Sequence, residues 1–272
     1  MGQFGSVRLV VVALAMTSAT AAAADKDPLG RARVLYNQRH FEAAISAADQ
    51  ARAAPAHADS SDLIAARAYL ERFRESAAPD DLSNARERLR RLDAKRLGSH
   101  ERLELLVGLG EALYFDGSFG AAANLFNSLL APGGLDSASG GMQTDARESV
   151  LDWWASAIDR EAHPRPDIER QAIYQRIRDR MQEEIVVRPS STAAAYWQSA
   201  AARGQGDLQA AWDVAQAGWV RAALATDRGA ALRADLDRLV THAIIPERAK
   251  MIGQPPDALR SEWERFKEKW TK

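Results

Sequence analysis

The chain contains no cysteine. That excludes disulfides, thiolate metal ligands, a cysteine nucleophile and an acylated N-terminal cysteine. An excess of either charge is missing too, with 36 basic residues against 37 acidic ones and a net charge of −1. No global field steers such a chain toward nucleic acid, so no nucleic-acid partner is expected. Histidine is scarce: His40, His57, His100, His163 and His242 are far apart and form no H-x3-H pair. No metal site is expected from that spacing. There is also no G-x-S-x-G and no S-x-x-K, and Ser139 sits in a Gly-rich loop with no base beside it. Gly133-Gly134 and Gly140-Gly141 lack the lysine of a phosphate loop. The acidic pairs Asp80-Asp81 and Glu183-Glu184 are adjacent, so their side chains diverge. No catalytic residue and no cofactor follow, and the chain reads as a non-enzyme.

Long apolar runs are absent except near the N-terminus. Residues 1–24 carry one charge, Arg8, then a short apolar core from Leu9 to Met16 and a small-residue tail ending Ala22-Ala23-Ala24. This is the pattern of a cleaved signal peptide, and its core is short for a membrane span. The expectation is an exported, periplasmic protein with no integral span after cleavage; a retained anchor is the alternative.

What the sequence has is helical periodicity. No segment alternates with period two, and the longest strand candidate is the Ile185–Val187 triplet, so the fold is read as all-α. Leu106, Leu109, Gly110 and Leu113 recur at helical spacing, as do Phe119, Ala122, Phe126 and Leu129 after the turn Asp116-Gly117-Ser118. Gly110 and Ala122 are small where two backbones must approach. Phe41-x2-Ala44-x3-Ala48 and Leu208-x2-Ala211-x3-Ala215 repeat the signature of the second helix. Asp62 to Arg74 and Leu82 to Leu97 read as another pair, joined by a capped turn at 77–81. The second helices start at Phe41, Leu82 and Phe119, at intervals of 82−41 = 41 and 119−82 = 37 residues. Both exceed the ~34 residues of a regular repeat, so the array is degenerate.

Residues 131–144, with four glycines and a proline, read as an insertion or a flap between two half-arrays, 25–135 and 145–272. In the second half, Asp167 is expected to cap a helix running on Ile168, Ile173, Ile177 and Met181. Pro246 is expected to end the helix that begins at Gly229. All seven tryptophans fall in this half, mostly as core between helix layers. The run Arg86, Arg88, Arg90, Arg91, Lys95 and Arg96 is either a stripe for an anionic partner or a solvated face, and the latter is favoured.

The central stretch resembles the tetratricopeptide repeat, whose pattern W-x2-L-G-x2-Y, A-x3-F, P reads here as Leu106-x2-Leu109-Gly110-x2-Leu113, Ala122-x3-Phe126, Pro132. The resemblance implies antiparallel helix hairpins stacked as a right-handed α-solenoid, with first helices lining a concave, peptide-binding face. On that basis Arg33, Tyr36, Glu104, Glu111, Tyr114 and Phe115 are the expected partner-binding residues. Exposed aromatics beside carboxylates suit a protein or peptide segment with apolar and basic side chains. The function expected is an adaptor or assembly factor of the cell envelope. A cell-wall polysaccharide-binding or processing component is the alternative.

Overall fold

The computed structural model describes residues 27–135 and 142–271. The signal segment and the centre of the 131–144 loop therefore lie outside the described residues. Helices α1 (Pro28–Asn37), α2 (Phe41–Ala51), α3 (Ala58–Ser76), α4 (Pro79–Arg91), α5 (Ser99–Phe115), α6 (Phe119–Leu130) and α7 (Met142–Ala162) come first. They are followed by α8 (Asp167–Val187), α9 (Thr192–Gly204), α10 (Leu208–Arg221), α11 (Gly229–Leu239), α12 (Ile245–Ile252) and α13 (Pro256–Trp270). No strand occurs among the described residues, and Ile185–Val187 is the last turn of α8. The protein is all-α. It forms two compact units that divide at Gly108 and Leu109, inside α5.

In the first unit, α1 packs on α2, α2 on α3 and α3 on α4, while α1 also touches α3. The Pro28 ring starts α1, where its missing N–H is no loss, and Asp27 accepts from Leu29 N at 3.1 Å. Ala32, Ala44, Ala48 and Ala51 are buried, which lets the α1 and α2 backbones approach. The turn before α4 is shorter than expected. Ala77 closes α3 in the left-handed conformation (φ 53°), and Ala78 precedes α4 with no side-chain cap. Helix α4 ends at Arg91 rather than Leu97, because Leu92 turns extended and Asp93 caps a separate 3₁₀ turn through Lys95 N.

The second unit shows the same habit. Helix α6 packs on α7, α7 on α8, α8 on α9 and α9 on α10, while α9 also meets α7 and α11. Gly117 (φ 76°) makes the α5–α6 turn, a conformation costly for other residues. Trp212, Trp219 and Trp263 meet edge to face with centroids 5.5–5.7 Å apart, as the core of the C-terminal helices. Trp263 is fully buried and donates its Nε1–H to Asp237 at 2.8 Å. Ile177 and Met181 are buried as expected, with Tyr174 beside them, but two expectations fail here: Ile168 is 82% exposed, and Asp167 accepts from Arg170 rather than capping.

Pro246 does not end its helix. A π-turn over Val240–Ile244 joins α11 to α12, and Pro246 takes an initial position of α12. The widened turn opens the hydrogen-bond ladder where the proline has no N–H to give. Leu232, Leu236, Val240 and Ile244 all stay buried across it.

Candidate functional site

Three expected partner-binding residues meet in the first unit. Arg33 on α1 forms an ion pair with Glu101 on α5. Arg67 on α3 reaches Glu104 on α5 at 3.4 Å, and its guanidinium lies over the Tyr36 ring, 5.1 Å from the centroid. Burial is the largest influence on the Glu101 carboxyl and would raise its pKa. Hydrogen bonds from Ser60 and the Gly98 N–H, with Arg33, outweigh it and hold the group below its ordinary range. Arg33, Tyr36 and Glu104 are thus stitched together by Arg67 and Glu101, which the sequence reading did not single out. Their pairing joins helices distant in sequence, so no local spacing announces it.

Arg88, Arg91 and Arg96 of the basic run are spent on internal pairs. Arg88 bonds Asp62 at 2.7 Å and also pairs with Asp49, while Arg91 bonds Glu87 at 2.8 Å. Arg96 meets Asp59 at 3.3 Å and the Pro55 carbonyl at 3.2 Å. Burial pulls the Arg88 pKa down, but its hydrogen bonds to Asp62 and Asp49 raise it on balance.

In the second unit Glu111 is buried, 3% exposed, so it offers no open surface. Tyr114 and Phe115 are half-buried in an aromatic cluster. The Tyr114 ring meets Phe119 and Trp153 edge to face at 5.2 and 5.0 Å, and Phe115 meets Trp153 at 5.6 Å. Trp153 in turn stacks on Phe126 at 6.2 Å. Its neighbour Trp154 is buried.

Helix α7 also carries the carboxylates of this region. Asp152 accepts from Trp197 Nε1 at 2.7 Å, and Asp159 accepts from the Tyr174 hydroxyl at 2.8 Å. Burial, reinforced by Asp159, raises the Tyr174 pKa. The Arg160 guanidinium lies over Phe119, 5.3 Å from the centroid. Beside it an open cleft of about 840 Å³ is lined by residues 117–121 and by Arg160, Glu161, His163, Pro164 and Arg165. Its charges are mixed: Arg165 stands 3.6 Å from Glu161, and His163 Nδ1 lies 2.7 Å from the Asp159 carbonyl. Among the described residues no group of three or more His, Asp or Glu is placed to hold a metal ion, and no helix is long and apolar enough to cross a membrane.

What these surfaces offer is recognition chemistry: half-exposed rings, cation–π pairs and carboxylates held by neutral donors. Compared with known proteins, the chain matches no family model, no curated protein and no solved structure.

Proposed function

We propose that this protein is a tetratricopeptide-like interaction module, a solenoid of helix hairpins that binds a protein or peptide segment and works as an adaptor or assembly factor of the cell envelope. The observation that carries the reading is the packing pattern within each unit. Consecutive helices pack on one another, and alternate helices also touch, as α1 with α3 and α7 with α9. A hairpin cannot bury its apolar faces alone, and stacking on neighbours of its own kind is the solution such repeats adopt. Gly110 stands against the Phe126 ring, and Ala122 and Phe126 are fully buried, which supports the resemblance. Arg33, Tyr36, Arg67 and Glu104, from alternate helices of the first unit, supply a surface of ring and paired charge suited to a peptide.

The test is capture of partners from an envelope extract under mild crosslinking, with wild type beside a Tyr36→Ala, Glu104→Gln double variant. Specific protein partners lost in the folded variant support the reading. Retention on cell-wall material with no protein captured overturns it. Fractionation of a tagged full-length chain tests export: recovery in the cytoplasm with residues 1–24 intact would defeat the envelope assignment.

A further inference from the structure

The second unit presents tyrosines and carboxylates together on α7 and α9, and this pairing goes beyond the general reading. Along α7, Asp152, Ser156 and Asp159 follow one another at helical spacing on one stripe, with Trp153 beside it. On α9, which packs on α7, Tyr196 is half-buried and its ring meets Trp197 edge to face at 5.5 Å. Trp197 is the residue whose indole N–H bonds Asp152. Tyr114 thus meets Trp153, and Trp153's neighbour on α7, Asp152, meets Trp197, whose ring meets Tyr196.

The electrostatics of the two phenols agree with that geometry. Burial is the main cause that raises the Tyr196 pKa, and Asp235, Asp152 and Asp159 raise it further against Arg203. For Tyr114 burial again leads, with Arg160 opposing and Asp159 and Asp152 adding. Both rings thus lie in the field of the same two carboxylates. Of the cations that oppose them, Arg203 is held by Glu247 through two nitrogens, while Arg160 lies over Phe119, the ring that packs on Tyr114, and so borders the same cluster.

We infer that the face formed by Asp152, Asp159, Tyr114, Trp153 and Tyr196 is a docking surface for a peptide segment bearing lysine or arginine. Asp152 and Asp159 outnumber the bordering Arg160, so these groups leave the face net acidic. A cationic side chain gains from the face of a half-exposed aromatic ring and from a carboxylate beside it. An acidic segment would meet repulsion from Asp152 and Asp159 at the same rings. The inference rests on the interaction-module reading and adds the chemistry of its partner.

Two fluorescent peptides of equal length and apolar content serve as probes, one lysine-bearing and one glutamate-bearing, with binding to the mature chain read by anisotropy. The lysine peptide is expected to bind, more weakly as salt rises, and the glutamate peptide to bind at least about tenfold less tightly. Asp152→Asn with Asp159→Asn keeps the hydrogen-bond acceptors for Trp197 and Tyr174, and should abolish the preference for the cationic peptide. The wild-type comparison holds even if that variant unfolds. Equal binding of both peptides, a preference for the acidic one, or an unchanged preference in the folded double variant overturns the inference. So does binding of neither peptide. If that protein still captures partners in the crosslinking experiment, the module reading stands and only the cationic docking surface falls.

Discussion

The ring of Phe126 occupies the space that a side chain at Gly110 would need: a Cβ there would stand 2.5 Å from Phe126 Cε1 and 2.6 Å from Cζ. The two residues face each other across the α5–α6 hairpin, and Ala122, one turn before Phe126, is fully buried. Interiors are close-packed, so this seam has no room to accept volume.

Gly110→Leu and Ala122→Leu should each overpack the hairpin and lower stability by roughly 1–3 kcal/mol. Chemical denaturation followed by circular dichroism measures this, with the midpoint falling and the slope unchanged. An unchanged midpoint in both variants would mean that the seam can yield.

Arg147 and Glu184 form a buried pair in the second unit, with Arg147 Nε and one terminal nitrogen donating to the two carboxylate oxygens at 3.0 and 2.8 Å. Arg147→Met leaves a buried carboxylate with less compensation and should cost about 3–5 kcal/mol. Adding Glu184→Leu should recover most of that loss, because the desolvated charge goes with it. A double variant no more stable than the single one would show that the pair does more than neutralise itself.

The same carboxylate makes stability depend on pH. Burial would raise the Glu184 pKa, but the hydrogen bond and charge of Arg147, with Arg188, lower it below the ordinary glutamate value. A folded pKa below the unfolded one gives stability that is present above the unfolded value and lost as pH falls through the folded one. Thermal melts of wild type should therefore lose stability on acidification through and below the usual glutamate range. In the Arg147→Met, Glu184→Leu variant that acid dependence should be shallower; identical slopes would count against the assignment.

Ala77 holds a left-handed backbone at the end of α3, with its N–H bonded to the Phe73 carbonyl at 2.7 Å. An L-residue there carries a penalty of about 1 kcal/mol that glycine avoids. Ala77→Gly should raise the thermal midpoint by a few degrees, although glycine makes the unfolded chain more flexible. A fall in the midpoint would show that this unfolded-state entropy dominates.

The hairpins were readable because their packing is local. Gly110 and Phe126 meet through helical spacing and one short turn, so the sequence interval maps directly onto the contact. The misreadings share a different cause. The helix expected from Leu82 to Leu97 stops short, because the chain turns extended at Leu92 and Asp93 caps the next turn. Ile168 fits the apolar period of α8, but the helix is seated by Tyr174, Ile177 and Met181, and no neighbour covers its first turn. Glu111 looked like an open charge, but its burial is set by packing around α5, which its own helix does not encode. The Asp152–Trp197 and Arg67–Glu104 pairs, 45 and 37 residues apart, lay beyond any periodic pattern for the same reason.

The π-turn between α11 and α12 acts as a phase corrector. Leu232, Leu236, Val240 and Ile244 are spaced four apart, and in a regular helix each step of four overshoots a full turn by about 40°. Three such steps would swing Ile244 roughly a third of the way round the axis and out of the core. The under-wound turn takes part of that drift back, so one apolar stripe remains aligned over a helix that carries a surplus residue. In this way the chain tolerates a length change inside a helix without surrendering the contacts on either side of it.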